Sequence, residues 1–160
     1  KKFVFTLLLV FVCHLGYAQG INGLFNEFGS EKNADCVKVS SFMMSLGKMF
    51  AGHDEDAKII RKIKSIKVLD LESCTASVKE RFNKKVNKLN LKGYDELMRV
   101  NDEGEKVRVL MKTKKETIRE LLFVCTGKED CTLVQINGKF TKDDIDKLVN
   151  QETGKKHGRR

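Results

Sequence analysis

Hydrophobic residues recur along this chain at two spacings, one typical of helices and the other typical of strands. Ile21, Leu24, Phe25 and Phe28 lie three and four positions apart, so they share one face of a helix. Gly29 follows and is a common helix terminator. The pattern therefore predicts a short amphipathic helix near the start of the folded part of the chain.

Strand-like alternation dominates the second half of the chain. Val107, Val109 and Met111 occupy every second position, which predicts a strand with these side chains toward the core. Short polar loops separate the predicted strands, so antiparallel hairpins are expected. In chain order the pattern predicts a helix at 21–28, a strand at 35–40, two helices between 41 and 63, a strand at 65–73, a helix from 77 toward 93, strands at 94–101, 105–112, 117–125 and 131–137, and a final helix from 141.

These elements predict an α+β fold in a single domain. We expect a mostly antiparallel sheet of about five or six strands with helices packed on one face. The predicted organisation is a signal peptide at 1–18, one α+β domain at 19–153, and a basic disordered tail at 154–160. The tail carries four lysines and arginines and no large apolar residue.

The first eighteen residues have the three parts of a secretory signal peptide. Two lysines precede an apolar run at 3–13, and small residues lead up to Ala18. We therefore expect cleavage between Ala18 and Gln19, and localisation in the periplasm or cell envelope. The apolar run is about half the roughly 20 residues that a membrane-spanning helix needs. No transmembrane segment is expected in the mature protein.

The formal net charge of +9 matters once export is expected, because it favours anionic partners in the envelope. The predicted alternation along the strands directs several cations to the outward face of the sheet, together with one aromatic residue. We call this predicted surface the basic sheet face. Its members are Arg99, Lys106, Arg108, Lys112, Arg119 and Phe123. An envelope protein, glycan or lipid fits this surface, and nucleic acid does not fit the compartment. The alternative is an ordinary solvated face.

Two cysteines flank the predicted loop at 126–130. A hairpin can place Cys125 and Cys131 opposite each other, within reach of a disulfide in an oxidising compartment. The alternative is two small apolar residues at strand ends. Cys36 and Cys74 are candidates for a second bridge only if their strands bring them together.

The chain offers little to a catalytic mechanism. A nucleophile–histidine pair needs a placed histidine, and within the predicted domain only His53 is available, in an acidic loop that suits a helix start. Cys125 and Cys131 lack the close spacing of a zinc or redox motif. We therefore expect no catalytic residue, no cofactor and no metal site, and classify the protein as a non-enzyme.

Several short runs occur in an order and spacing that resemble one known family. These runs are GYDELMRV at 93–100, EKVRV at 105–109, ELL at 120–122, LVQING at 133–138 and IDKL at 145–148. Together they resemble domain of unknown function 4252, a family of small exported proteins of Bacteroidetes, from about Leu24 onward. The resemblance implies an exported α+β domain. It implies no reaction and no catalytic residues, since none is assigned to the family.

The preferred interpretation is a non-enzymatic binding or protein-interaction module of the periplasm or envelope. The alternative is a carrier that holds a lipid or another apolar ligand between sheet and helices. A deep apolar cavity would favour the carrier, whereas a filled core with an exposed face would favour the module.

Overall fold

The computed structural model describes residues 20–50 and 55–147, with the side chains of 46–50 and 55–57 excepted. The predicted signal peptide, the junction of Ala18 and Gln19, His53 and the tail at 154–160 lie outside the described residues. The helices are α1 (Ile21–Phe28), α2 (Ser41–Phe50), α3 (Glu55–Lys62), α4 (Ala76–Asn87) and α5, which is described over 142–147. The strands are β1 (Asp35–Val39), β2 (Ile63–Asp70), β3 (Asp95–Asp102), β4 (Glu105–Lys114), β5 (Thr117–Thr126) and β6 (Thr132–Phe140).

The six strands form one sheet in the order β1-β2-β6-β5-β4-β3, and every neighbouring pair is antiparallel. This confirms the predicted α+β fold with its antiparallel sheet. The turn between β3 and β4 shows why the hairpins form. Glu103 and Gly104 both have positive φ, 44° and 92°, as the two-residue turns that match strand twist require.

The main core lies between one face of the sheet and helices α1 and α4. The four apolar residues that predicted α1 are all buried in it. Phe28 of α1 meets Phe82 of α4 edge to face, with ring centroids 5.4 Å apart, a favoured aromatic geometry. Leu69, Leu122 and Leu133 rise from the sheet to complete the layer.

A second, smaller cluster lies on the opposite face. Leu121 belongs to this cluster and Leu122 to the main core, and adjacent strand residues point to opposite faces. Ile59 of α3 and Ile145 of α5 pack here. The sequence predicted helices on one face of the sheet only. Helices α1 and α4 do share one face, but α3 and α5 cover one end of the other face. They can pack there because β5 carries apolar residues on both sides.

Helices α3 and α5 are joined by an ion pair. The Lys62 ammonium donates to both carboxylate oxygens of Asp144, at 2.6 and 2.7 Å. Asp144 also accepts from the backbone N–H of Thr141, and its own N–H donates to the Thr141 hydroxyl, which forms a capping box at the start of α5. Burial alone would raise the pKa of Asp144, but the bonds from Lys62 and Thr141 outweigh burial and lower it.

Candidate functional site

The predicted basic sheet face is divided between the two sides of the sheet. Arg108 pairs with Val124, and Val109 pairs with Phe123, so Phe123 points away from Arg108. The register explains the error in the prediction. Lys112 of β4 pairs with Glu120 of β5, and the next residue, Thr113, pairs with Ile118. Arg119 is therefore an extra residue on β5, without a partner on β4. This one-residue bulge moves every later β5 side chain to the opposite face from the one a regular hairpin would give it.

Apart from the bulge residue Arg119, the cations of the predicted basic sheet face lie on the face that carries α1 and α4. Two of them share one carboxylate. Arg99 and Arg108 are cross-strand partners, and each donates to Glu96 at 2.7 Å. Hydrogen bonds from Arg99 and Arg108 lower the pKa of Glu96 to about 2. Two guanidinium charges face one carboxylate, so a surplus of positive charge remains at this point. Lys106 and Lys112 extend the basic strip along β4, on the same face as Arg108.

The opposite face carries a continuous apolar row that crosses the whole sheet. One residue comes from each strand, and each is the direct register partner of the next. In sheet order the row is Val37, Val68, Val134, Phe123, Val109 and Met98. We call this row, together with the neighbouring pair Val100 and Val107, the apolar sheet face.

Much of the apolar sheet face is open to solvent. Val37 is 55% exposed, Met98 49% and Phe123 37%. Helices α3 and α5 cover the adjacent row, which contains Leu121 and Ile136, and they leave this one uncovered at both edges of the sheet. Large apolar side chains in such a contiguous arrangement are typical of an interaction surface.

Two acidic pairs border the apolar sheet face at one end. Asp35 of β1 is opposite Asp70 of β2, and Asp102 of β3 is opposite Glu105 of β4. Like charges directly opposite each other are unfavourable in a sheet. The two faces therefore differ in charge, since the apolar face is bordered by carboxylates and the other by cations.

Strand β3 adds a free edge to this surface. It is the last strand of the sheet, and all eight of its residues are exposed. Leu97 is an extra residue between the pairs of Glu96 and Met98, so the edge strand carries a bulge. Bulges of this kind disfavour pairing with another strand. The flat surface beside the edge is therefore a better candidate site than the edge itself.

Comparison with known proteins identifies the chain only at the level of the family. The sequence profile of one family, described as domain of unknown function (DUF4252), matches residues 28–148. The chain belongs to the DUF4252 family. None of the curated proteins and none of the solved structures matches it significantly. The predicted family membership is confirmed, and the matched region contains β1 to β6 and therefore the whole apolar sheet face.

The predicted disulfide of this DUF4252 protein does not fit the hairpin register. Cys125 pairs with Thr132 rather than Cys131. Cys131 is fully buried in the main core, where its thiol donates to the Asn83 side-chain oxygen at 3.3 Å. The Cys125 side chain shares a face with its partner Thr132, and adjacent residues such as Cys131 and Thr132 point to opposite faces. The register that aligns β5 with β6 therefore directs the side chains of Cys125 and Cys131 to opposite faces of the sheet. The four described cysteines are free.

Three of the four described thiols are poorly suited to nucleophilic chemistry. Burial raises the pKa of Cys74, Cys125 and Cys131 above the ordinary thiol value, so each stays protonated near neutral pH. Within 20–50 and 55–147, no three His, Cys, Asp or Glu side chains gather as a metal site would require. Over the same residues, no helix is both long and apolar enough to cross a membrane.

Sequence reasoning missed the apolar sheet face, although its signal was present. Val109 and Phe123 were assigned to opposite faces of the sheet. The alternating apolar residues of each strand indicated two candidate faces. Only the position of the bulge at Arg119 determines which apolar faces of β4 and β5 coincide.

Proposed function

We propose that this DUF4252 protein is an exported, non-enzymatic interaction module that binds a partner protein through the apolar sheet face. The observation that carries the proposal is the apolar row, which has one residue from every strand and is open at both edges of the sheet. A sheet face that serves only as a solvated surface alternates toward polar residues. The predicted signal peptide at 1–18 supports export.

The border of the face indicates the chemistry of the partner. The partner surface should be apolar at its centre and should carry lysine or arginine opposite the pairs Asp35–Asp70 and Asp102–Glu105. Cations placed there would relieve the repulsion within each acidic pair.

The packing of the main core supports an interaction module over a carrier. The largest side chains between sheet and helices, including Phe25, Phe28 and Phe82, are less than 2% exposed. They fill the layer in which an apolar ligand would have to lie. The apolar sheet face, in contrast, is on the outside of the sheet and is open to a partner at both edges.

The basic strip supports a second candidate, binding of an anionic envelope component. Arg99 and Arg108 carry two charges against the one of Glu96, and Lys106 lies beside them on β4. Such binding is expected to weaken with salt, since exposed charges are screened over about 8 Å at physiological ionic strength. This surface lies on the opposite side of the sheet from the apolar row.

Site-specific photo-crosslinking in the native envelope tests these proposals with matched positions. Val37 and Lys38 are neighbours on β1, both exposed, and point to opposite faces; Met98 and Arg99 form the same kind of pair on β3. A photoreactive residue at 37 or 98 should capture a defined partner protein, and one at 38 or 99 should not. The matched positions control for expression and local reactivity.

Each outcome of this experiment decides between the proposals. Capture of a protein only from 38 and 99 would move the interface to the basic side and overturn the first proposal. Capture of lipid from positions 37 and 98 would show that the apolar sheet face meets a lipid surface and not a partner protein, and would overturn the first proposal. A crosslinked pair of identical chains would show self-association in place of a partner protein. Intact mass of the protein from its native host tests cleavage after Ala18.

A further inference from the structure

Strand β1 forms the edge of the sheet that lies opposite β3. Within the described residues, β1 pairs with β2 alone, and all five of its residues are in unbroken register. An unpaired strand edge presents backbone N–H and C=O groups that can bind a further strand, and bulges and prolines are two of the features that prevent this. Strand β1 has neither, whereas β3 carries a bulge. We propose that the outer edge of β1 binds an extended peptide segment of another protein, which adds to the sheet as a further strand.

Two charged residues of β1 each face a residue of the same sign on β2. Asp35 is the register partner of Asp70, and Lys38 is the register partner of Lys67. Like charges directly opposite each other are unfavourable in a sheet. The two pairs have opposite signs and lie three residues apart on one short strand. The edge of β1 therefore carries a defined pattern of charge that its inner neighbour does not neutralise.

The two inner residues of these pairs are already bound by other neighbours. The Asp70 carboxylate accepts a hydrogen bond from the backbone N–H of Glu72 at 2.8 Å, and the Lys67 ammonium donates to the Asn22 side-chain oxygen at 2.8 Å. The two charged residues of β1 are both exposed. Neither forms an ion pair with any residue that the structure describes. A strand on the outer side of β1 can therefore bring an opposite charge to each of them.

The register of an added antiparallel strand determines the peptide sequence that fits. Directly opposed residues share one face of a sheet, so a basic residue of the peptide would lie beside Asp35, and an acidic residue three positions earlier would lie beside Lys38. Between them, the peptide residue opposite Val37 lies on the apolar sheet face, where Val37 is 55% exposed. The ligand class is therefore an extended segment with the order acidic, apolar, any residue, basic. Main-chain hydrogen bonds to β1 contribute affinity, as in other complexes formed by strand addition.

This inference does not rest on the proposed function, because the edge of β1 is open whether or not a partner covers the apolar sheet face. The two proposals also separate experimentally. Position 98 lies on the far edge of the sheet, so capture there reports only on the face. A photoreactive residue at 38 replaces the lysine that the peptide would recognise, so that position remains a control for the face.

Titration of the purified protein with two synthetic peptides, followed by NMR, tests the inference. The peptide Thr-Val-Glu-Val-Ser-Lys-Thr places its glutamate opposite Lys38 and its lysine opposite Asp35, and Thr-Val-Lys-Val-Ser-Glu-Thr has the two charges exchanged. The first peptide should bind about tenfold more tightly, because both charged pairs change from attraction to repulsion in the second. Amide shifts and slower hydrogen exchange should be confined to β1 and its neighbour β2, and should be absent from β3.

Exchanging the two charges on the protein should reverse this preference. In the double variant Asp35→Lys with Lys38→Glu, the second peptide should bind about tenfold more tightly than the first. The matched control is Lys142→Glu with Asp143→Lys, which makes the same exchange between two exposed residues of α5. This control should keep the preference of the unmodified protein.

Several results would overturn the inference. The first peptide may give no saturable shifts in β1, the two peptides may bind the unmodified protein equally, or the folded double variant may keep the original preference. Shifts of β1 that depend on protein concentration in the absence of peptide would show that a second copy of the chain occupies the edge, and would overturn it as well. The comparison of the two peptides on the unmodified protein decides the question even if the double variant does not fold.

Discussion

Replacing Asp144 with Asn should destabilise the protein by breaking the contact between α3 and α5. The carboxylate of Asp144 accepts from Lys62 and from both the N–H and the hydroxyl of Thr141. An Asn side chain can still accept one bond from Thr141. Its amide group would then face the Lys62 ammonium with hydrogens on both sides, so the pairing with α3 would be lost.

The magnitude follows from how far the pair is withdrawn from water. The side chain of Asp144 is 10% exposed and that of Lys62 35% exposed. Breaking a fully buried pair costs about 3–5 kcal/mol, and an exposed pair contributes about 0–1 kcal/mol. For this intermediate case we expect a coupling of about 1–2 kcal/mol. Weakening of the capping box adds about 0.5–1 kcal/mol, which gives a total loss of about 1.5–3 kcal/mol.

A double-mutant cycle measures the coupling directly. Unfolding free energies of the unmodified protein, Asp144→Asn, Lys62→Met and the double variant would be determined by urea titration followed by far-UV circular dichroism at pH 7. A coupling of about 1–2 kcal/mol is expected. A coupling below about 0.3 kcal/mol would show that the two charges meet without stabilising the fold, and would refute the reasoning.

The same pair predicts a dependence on pH. The pKa of Asp144 is lower in the folded protein than in the unfolded chain. The Asp144 carboxylate therefore makes its full contribution to the free energy of unfolding above the unfolded-state pKa of about 3.9. This contribution is lost as the pH falls through the lower pKa of the folded state. The difference in unfolding free energy between the unmodified protein and Asp144→Asn should be constant from pH 6 to 8. This difference should decrease as the pH falls below about 3.9. A difference that persisted undiminished at pH 2 would contradict this account.

Three further predictions concern the core, the thiols and the arginine pair. Phe82→Ala should lower the unfolding free energy by about 3–5 kcal/mol, measured by the same titration, because Phe82 is fully buried against Phe28. A thiol reagent should modify Cys36, Cys74, Cys125 and Cys131 in the unfolded protein. Cys131 should react in the folded protein only as fast as the protein unfolds, and an intact-mass loss of two hydrogens would instead indicate a disulfide. The Glu96 carboxyl should titrate near pH 2 by NMR, and Arg108→Met should move its pKa toward the ordinary value.

The strand pattern predicts the sheet well because the strands are short runs rich in apolar and β-branched residues, bounded by polar loops. Residues 105–112 and 117–125 were assigned to strands that the structure gives as Glu105–Lys114 and Thr117–Thr126. The relation between these two strands could not be predicted, since it depends on the one extra residue at Arg119. Nothing in the local sequence marks that bulge, because it is fixed by long-range packing of Ile118 and Leu121 in the second cluster.

The start of α4 lies one residue before the predicted position. The run 77–80 has the sequence of a capping box, but the helix begins at Ala76 with Thr75 as its N-cap. The Lys79 ammonium donates to the Glu129 carbonyl oxygen at 2.8 Å, and Asn83 donates to the Gly127 carbonyl oxygen at 2.7 Å. Both bonds attach α4 to the loop between β5 and β6, which local sequence cannot indicate.

The bulge at Arg119 also explains how the two faces of the sheet came to differ. It aligns Phe123 with Val109 and Leu121 with Met111, so the apolar residues of β4 and β5 reinforce each other on one side. The same shift aligns Arg108 with Val124 and Lys112 with Glu120 on the other. A regular hairpin would have mixed these sets and produced two faces of similar character. Deleting Arg119 should therefore return the hairpin to a regular register or unfold it, and either result would remove the apolar sheet face on which the proposed interaction depends.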